Sequence, residues 1–349
     1  MKRSLLLSAV IFLLAACAAP TPAGPQTLRV MTHDSFSVSE DVIAAFEAEH
    51  NVTVQFLKAG DAGTMLNQAI LSKDSPQADV LYGVDNTFLS RALEAGIFIP
   101  YKAQGLDKGF DAYQLDPDSR VVPVDFGDVC LNYDQAYFAE HALAIPQSLA
   151  DLTRPEYKGL LVVENPASSS PGLAFLIATI GVFGEEGYLD YWRALRANDV
   201  LVVEGWDTAY YTEFSGGASS EGTRPLVVSY ATSPAAEVYF SEGTLTEPPT
   251  GAITAPGTCF RQIEFAGILK GTKNQELAQA FIEFLLSAPF QSDIPFQMWV
   301  FPISQEIKLP ESAFTHYAEI ADSPVSVPYT SIEKNRERWI QEWTEVVLR

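Results

Sequence analysis

The chain has 349 residues, of which 47% are hydrophobic and 19% are charged, a composition that is ordinary for a folded globular protein. Its 44 acidic and 22 basic residues give a formal charge of −22, which argues against nucleic acid or anionic surfaces as partners because phosphate groups would be repelled. A small cation is compatible with this charge. The length exceeds what one hydrophobic core usually organises, so two lobes are expected.

The first 17 residues carry a targeting signal. Lys2 and Arg3 are basic, residues 5–16 form an apolar run too short to span a bilayer, and Leu-Ala-Ala-Cys at 14–17 resembles the lipobox of bacterial lipoproteins. We predict a lipoprotein signal peptide at 1–16, lipidation at Cys17 and a flexible tether at 17–26. The alternative is a cleaved, fully soluble secreted protein. Both interpretations place the folded part outside the cytoplasm, and no later apolar segment predicts a membrane span.

Two cysteines follow Cys17 in the sequence. Cys130 and Cys259 form an even pair, and an extracytoplasmic compartment is oxidising. The sequence therefore favours a disulfide between them over a reactive thiol.

Short apolar runs alternate with helical patterns along the chain, which predicts an α/β fold with mostly parallel sheets flanked by helices. Strands are predicted at 28–31, 52–57, 80–82, 129–133, 160–163, 200–203, 226–230 and 264–269. Helices are predicted after Ser39 and at 64–73, 172–183, 188–196, 235–240, 276–286 and 332–348. In the last helix Trp339, Trp343 and Val347 are four residues apart, so we expect them to pack onto a lobe.

Several catalytic chemistries have no signature in the sequence. There is no G-x-S-x-G elbow, Walker loop, dinucleotide-binding glycine motif or H-E-x-x-H, and the four histidines are scattered. We therefore expect no catalytic residues, no cofactor and no zinc or other metal site.

Aromatic residues instead stand beside turns at predicted strand ends, where open α/β sheets bind ligands. Trp206 follows one strand, Tyr230 ends another, and Trp299 precedes Phe301 and Pro302. Aromatic faces together with carboxylates suit an organic cation, because each cation–π contact contributes about 0.5–2 kcal/mol. The serines at 168–170 precede a helix and offer hydroxyls or free amides to an anion or a hydroxyl group.

Longer strings then carry a family resemblance. The most specific are GWDTAY at 205–210, VVSYATSPA at 227–235 and WVFPI at 299–303, with VMTHDSF at 30–36 and VPVDFGDV at 122–129 in support. Together they resemble the thiamine-binding lipoproteins and periplasmic proteins of bacterial ABC importers, within the two-lobed substrate-binding superfamily.

The resemblance implies a type II periplasmic-binding-protein fold whose hinge strands run between the lobes. Lobe 1 would comprise 27–124 and the return at 264–349, lobe 2 would comprise 125–263, and the crossing strands would lie at 122–133 and 262–269. It also implies capture of thiamine or a thiamine phosphate without catalysis, and delivery to an ABC permease with its ATPase.

The resemblance further implies which residues bind the ligand. Trp206, Tyr230 and Trp299 would contact the ligand rings, Asp61 its polar or cationic part, and Ser169 its hydroxyethyl or phosphate end. His33 and Tyr210 complete the expected site. His33 stands where the family usually has tyrosine, and Ala236 where relatives can have an aromatic residue. The preferred form among thiamine, its mono- and diphosphate and a related pyrimidine therefore stays open.

Two other functions remain open from the sequence. Tyr210 and Tyr211 are similar to the adjacent tyrosines with which ferric-binding relatives coordinate iron. A thiaminase-like enzyme would instead use Cys130 as nucleophile, with Asp128 or Glu237 as a nearby acid.

Overall fold

The computed structural model describes residues 26–107, 113–217 and 220–349. The signal peptide predicted at 1–16, Cys17 and all but the last residue of the tether lie outside these ranges.

The described part of the chain contains eleven strands and ten α-helices, together with short 3₁₀- and π-helical turns. The strands are β1 (Gln26–Thr32), β2 (Val52–Lys58), β3 (Val80–Asp85), β4 (Phe98–Ile99), β5 (Val122–Asp134), β6 (Leu161–Glu164), β7 (Leu201–Val203), β8 (Leu226–Tyr230), β9 (Thr250–Ile253), β10 (Phe260–Leu269) and β11 (Phe301–Pro302). The helices are α1 (Glu40–His50), α2 (Ala62–Leu71), α3 (Leu89–Ala95), α4 (Gln135–Glu140), α5 (Ser170–Ala197), α6 (Ser233–Phe240), α7 (Gln275–Leu285), α8 (Ala288–Gln297), α9 (Ala313–Tyr317) and α10 (Tyr329–Val347).

All eleven strands join in one sheet, in which eight follow the order β2-β1-β3-β10-β5-β8-β6-β7, β4 pairs with β10, and β9 and β11 pair with β5. On one side, β1 pairs in parallel with β2 and β3, and on the other, β6 pairs in parallel with β7 and β8. We call these the first and second half-sheets. The long antiparallel strands β5 and β10 lie between them and pair with each other. The predicted α/β fold with mostly parallel half-sheets is confirmed, and β5 and β10 lie where crossing strands were predicted.

The two cysteines lie on this central pair. Cys130 in β5 and Cys259, one residue before β10, form a disulfide with sulfurs 2.10 Å apart, as predicted. Both side chains are buried. Next to them, Arg261 donates two hydrogen bonds to the Asp128 carboxylate at 2.9 and 2.8 Å. The disulfide leaves Cys130 without a thiol, which contradicts its assignment as a nucleophile.

Helix α5 is the core helix of the second half. The helices predicted at 172–183 and 188–196 join in it at a kink, where Gly184 has a φ of 73°. Among the described residues, α5 is the one helix long and apolar enough to cross a membrane, which corrects the expectation that no such segment follows residue 16. More than half of its most apolar stretch is buried inside the protein, because this side packs in the core.

The C-terminal helix α10 packs on α5, as the spacing of its tryptophans predicts. Trp343 meets Trp192 of α5 edge-to-face, with centroids 5.4 Å apart, and Tyr188 of α5 donates a hydrogen bond to Glu342 at 2.5 Å. The Arg336 guanidinium lies over the Phe88 ring, next to α3. Since α10 contacts both halves of the molecule, the lobe boundaries at residues 124 and 263 stay a prediction.

Candidate ligand-binding cleft

A cleft of about 560 Å³ opens between the two half-sheets, at the carboxyl ends of their parallel strands. His33 and Asp61 enter it from the first half, Trp206 and Tyr230 from the second, and Glu264 from the central strand β10. This is the edge of an open α/β sheet at which ligands bind, and the volume suits one small molecule.

Six of the seven predicted ligand-binding residues line this cleft: His33, Asp61, Trp206, Tyr210, Tyr230 and Trp299. Ser169 does not line it, since its side chain is fully buried in front of α5. Its neighbour Ser170 lines the cleft instead.

The aromatic residues of the second half form a corner. Trp206 stacks on Tyr210, with ring centroids 5.1 Å apart and an angle of 19° between the planes. The Tyr230 ring lies 6.5 Å from Trp206 at an angle of 65°, and the Trp206 indole donates a hydrogen bond to the Ser229 hydroxyl at 2.9 Å. Tyr210 covers one face of Trp206, and the Tyr211 ring meets the indole edge-to-face with centroids 5.3 Å apart, so at most one indole face is left for a ligand. The Trp206 and Tyr230 rings stand at 65° to each other, so they do not form two parallel walls around a ligand.

A π-helical turn, Thr208–Glu213, presents Tyr210 and Tyr211 beside this corner. Such turns are rare and are frequent at functional sites. Burial and the neighbouring Glu237 raise the pKa of Tyr210 well above its ordinary value, which disfavours a phenolate. Burial likewise raises the pKa of Tyr211. Over the described ranges, no three or more His, Cys, Asp or Glu side chains group as they would around a metal ion.

Trp299 closes the cleft from the segment after α8. Its φ of 57° is unusual for a bulky residue and directs it toward α6 of the second half. There its ring lies 5.1 Å from that of Tyr239 and 5.4 Å from that of Phe240. The Thr232 hydroxyl donates a hydrogen bond to the Trp299 carbonyl. Trp299 thus ties the return of the chain to the second half.

Asp61 lies at the start of α2, where its carboxylate accepts three backbone hydrogen bonds. The donors are the N–H groups of Ala62 at 2.7 Å, Trp206 at 3.1 Å and Ser170 at 3.3 Å. Burial raises the pKa of the Asp61 carboxyl, and these hydrogen bonds oppose the rise. Since Trp206 and Ser170 belong to the second half, Asp61 bridges the cleft.

An acidic group that the sequence analysis did not identify lies at the base of the cleft. The register of β5 and β10 sets Asp125 opposite Glu264. Tyr82 donates a hydrogen bond to Asp125, and the His33 imidazole lies 3.4 Å from Glu264. Burial, followed by repulsion from Glu264, raises the pKa of Asp125 well above its ordinary value, which favours the protonated acid. The sequence signal for this group was the presence of a carboxyl residue inside an otherwise apolar strand, Asp125 in β5 and Glu264 in β10.

A second network, also not identified from the sequence, crosses the base of the cleft. The Tyr230 hydroxyl donates a hydrogen bond to the Gln262 side chain at 2.6 Å. Gln262 and Ser170 both hydrogen-bond to the buried carboxyl of Asp85 at the end of β3. Burial raises the pKa of Asp85. The network fixes the Tyr230 ring through contacts with both halves.

A family model and curated relatives agree on the family to which this sequence is similar. Residues 75–316 match the family model described as bacterial extracellular solute-binding protein. The thiamine-binding periplasmic protein of Salmonella typhimurium is 30% identical over 97% of this chain and 98% of its own length. That of Brucella suis is 30% identical over 95% of each chain.

Solved structures share the fold. A periplasmic thiamin binding protein superposes with a TM-score of 0.80 and 26% identity, over 93% of this chain and 97% of its own. Iron-bound HitA from Pseudomonas aeruginosa superposes with a TM-score of 0.73 and 19% identity, over 92% and 99%, which shows the fold alone. These neighbours confirm the predicted two-lobed, type II architecture. The chain belongs to the bacterial extracellular solute-binding protein family.

Proposed function

We propose that this protein captures thiamine between its two halves outside the cytoplasm and delivers it to an ABC permease and its ATPase, without catalysing a reaction. The observation that carries the proposal is the aromatic corner of Trp206 and Tyr230 facing an acidic cleft wall. Two nearly full-length relatives whose names state thiamine binding support it.

The chemistry of thiamine fits this wall. The molecule carries a permanently cationic thiazolium ring joined to an aminopyrimidine, so it offers two flat rings, a positive charge and an amino donor. The free face of Trp206 and the Tyr230 ring suit the rings, at about 0.5–2 kcal/mol for each cation–π contact. The carboxylates of Asp61 and Glu264 suit the charge and the amino group.

The individual ligand contacts form part of this proposal. Trp206, Tyr230 and Trp299 would contact the rings, His33 and Asp61 would shape the polar side of the site, and Tyr210 would support Trp206 from behind. Ser169 and Ser170 are both buried, but only Ser170 borders the cleft, so we assign the serine contact of this loop to Ser170.

The location and anchor belong to the same proposal. A lipid at Cys17, followed by the tether at 17–26, would hold the protein at the outer face of the cell membrane or in the periplasm, close to its permease. The full-length protein expressed in a bacterium should then fractionate with membranes, and the Cys17→Ser variant should not. Equal release of both variants into the soluble fraction would remove the anchor and leave the binding function untouched.

The function itself is tested by calorimetric titration of the purified protein with thiamine, with the separate hydroxymethyl-aminopyrimidine half as comparison. We expect saturable one-to-one binding of thiamine and weaker binding of the pyrimidine half, which lacks the cation. Ferric ion is the second comparison, and no visible absorbance band should appear on its addition. Absence of thiamine binding, or a visible band with ferric ion, would overturn the proposal in favour of another solute.

A further inference from the structure

The last residue of helix α6, Phe240, is an apolar side chain that the fold leaves open to solvent at the cleft. Its exposed fraction is 62%, the largest among the Phe, Tyr and Trp side chains that the structure describes. It also lines the cleft. A side chain that is both exposed and part of the cleft wall lies at the cleft opening. An apolar ring in this position gains burial only when a ligand is present.

The side of α6 that faces the cleft has regular helical spacing. Ser233, Ala236, Glu237 and Phe240 line the cleft at intervals of three and four residues, so they share one face of the helix. Ser233 and Glu237 are buried, and Ala236 has the smallest side chain of the four. Phe240 is therefore the one large apolar ring that this face contributes. Side chains in a helix lean toward its N-terminal end, which directs a ring at 240 over the small Ala236.

The Phe240 ring has aromatic neighbours that hold it at the cleft. Its centroid lies 5.4 Å from that of Trp299 and 5.3 Å from that of Tyr239. Trp299 lines the cleft, so Phe240 extends the aromatic wall of Trp299 toward solvent. Tyr239 contacts Trp299 at 5.1 Å and is 49% exposed, but it does not line the cleft. Of two adjacent exposed rings on Trp299, only Phe240 can reach a ligand.

We propose that Phe240 is a further ligand-binding residue, whose ring covers the solvent-facing side of a bound aromatic cation and slows its release. An aromatic ring suits this position because it offers both apolar cover and a cation–π contact. This inference rests on the proposed function, since it adds a contact to that same site.

Titration calorimetry with thiamine tests the contribution of Phe240 to affinity. We expect Phe240→Ala to bind thiamine about ten-fold more weakly than the wild type, and Phe240→Tyr, which keeps the ring, to bind nearly as tightly. Tyr239→Ala is the matched control, because it also removes an exposed ring from Trp299 and leaves the cleft wall intact. Its affinity should change by less than about two-fold. Denaturant unfolding checks that each variant folds.

Stopped-flow fluorescence tests the effect on release. Because the Phe240 ring would contact the ligand only once it is bound, Phe240→Ala should raise the dissociation rate by about ten-fold and change the association rate little. A direct probe of contact is an indole in the same place. Thiamine should quench the added fluorescence of Phe240→Trp, measured against the wild type, more strongly than that of Tyr239→Trp.

The outcomes separate this inference from the proposed function. Equal thiamine affinities of the wild type and Phe240→Ala would overturn the inference and leave the thiamine-binding function standing. Equal losses in Phe240→Ala and Tyr239→Ala would also overturn it, because both rings contact Trp299 and support of Trp299 would then explain the loss. No thiamine binding by the wild type would overturn the function and the inference together. If Phe240→Ala does not fold, equal quenching in Phe240→Trp and Tyr239→Trp would overturn the contact.

Discussion

The indole of Trp206 stacks on the Tyr210 ring at 5.1 Å while the Tyr230 ring meets it at 65°. Tyr210 therefore acts as a backing layer that holds Trp206 in place, and Ser229 fixes the indole N–H from the side. Tyr211 also meets the indole edge-to-face at 5.3 Å, so a ligand ring would stack on the indole face turned away from Tyr210, with Tyr230 as a second wall at an angle. This arrangement assigns different roles to the three aromatic residues.

The first prediction concerns that single face. Trp206→Ala should weaken thiamine binding by about 1–3 kcal/mol because it removes the stacking surface, and thiamine should no longer quench the remaining tryptophan fluorescence to the same extent. Trp206→Phe is the matched variant, since it keeps a ring on Tyr210 and loses the hydrogen bond to Ser229. It should retain most of the affinity. A folded Trp206→Ala protein that binds thiamine as tightly as the wild type would exclude Trp206 from the site.

The second prediction concerns the pH dependence of binding through His33. Burial lowers the pKa of His33, but attraction by Glu264, with smaller effects of Asp61 and Asp34, outweighs burial and raises the pKa above 6.5. Protonated His33 repels a cationic ligand, so thiamine affinity should rise as the pH rises through this raised pKa, by about three- to ten-fold.

Calorimetry between about pH 5 and 8.5 checks this expectation in the wild type and in His33→Asn, which should show a flatter profile. His316→Asn is the control, because the His316 side chain is 56% exposed and does not line the cleft. Equal slopes in wild type and His33→Asn would separate His33 from ligand binding.

Much of the fold follows from local patterns in the sequence. The strand predicted at 129–133 lies within β5, whose start at 122 was implied by the family resemblance, and the apolar run at 264–269 lies within β10, whose first four residues are more polar. Helix α8 was missed because Pro295 lies inside it, and proline usually ends a helix. Its neighbour α7 shows regular apolar spacing and was predicted.

The candidate site was predictable only in part. Turn signals beside Trp206, Tyr230 and Trp299 predict that these residues lie at strand ends. In the structure all three line one cleft. The pairing of Asp125 with Glu264 depends on the register of two strands separated by more than a hundred residues, which no local pattern encodes. The angle between Trp206 and Tyr230 depends similarly on side-chain packing. Ser169 and Ser170 are adjacent, and only the start of α5 decides which of them faces the cleft.

The third prediction concerns the disulfide. Replacing both cysteines with alanine, Cys130→Ala and Cys259→Ala together, should lower the free energy of unfolding by up to about 4–5 kcal/mol in the loop-entropy description. This magnitude follows from the length of the loop that the disulfide closes, since the two cysteines are 129 residues apart in the sequence. Thiamine affinity should change little, because neither sulfur lines the cleft.

Denaturant unfolding and calorimetry measure these two quantities, and mass spectrometry of the unreduced wild type should find the cross-linked peptide. Release of free thiazole from thiamine by the wild type in the presence of an amine or thiol that accepts the pyrimidine half, lost in the alanine variant, would instead establish the thiaminase-like reaction.

The last prediction concerns the buried Asp125 carboxyl at the base of the cleft. Burial and Glu264 raise the pKa of Asp125 in the folded protein well above its value in the unfolded chain. At neutral pH folding must therefore retain a proton that the unfolded chain has released, so the contribution of Asp125 to stability is largest at acidic pH and declines as pH rises toward the folded-state pKa.

Asp125→Asn resembles the protonated acid, since its carbonyl can accept the Tyr82 hydrogen bond and its amide can donate to Glu264. We expect this variant to be more stable than the wild type at pH 7, by about 1.4 kcal/mol for each tenfold difference in proton affinity between the folded and the unfolded carboxyl, and to lose that advantage near pH 4. Denaturant unfolding at both pH values measures the difference, with Asp118→Asn as the exposed control. An Asp125→Asn protein that is less stable than the wild type at pH 7 would mean that Asp125 is ionised in the folded state and serves as a charged group toward the ligand.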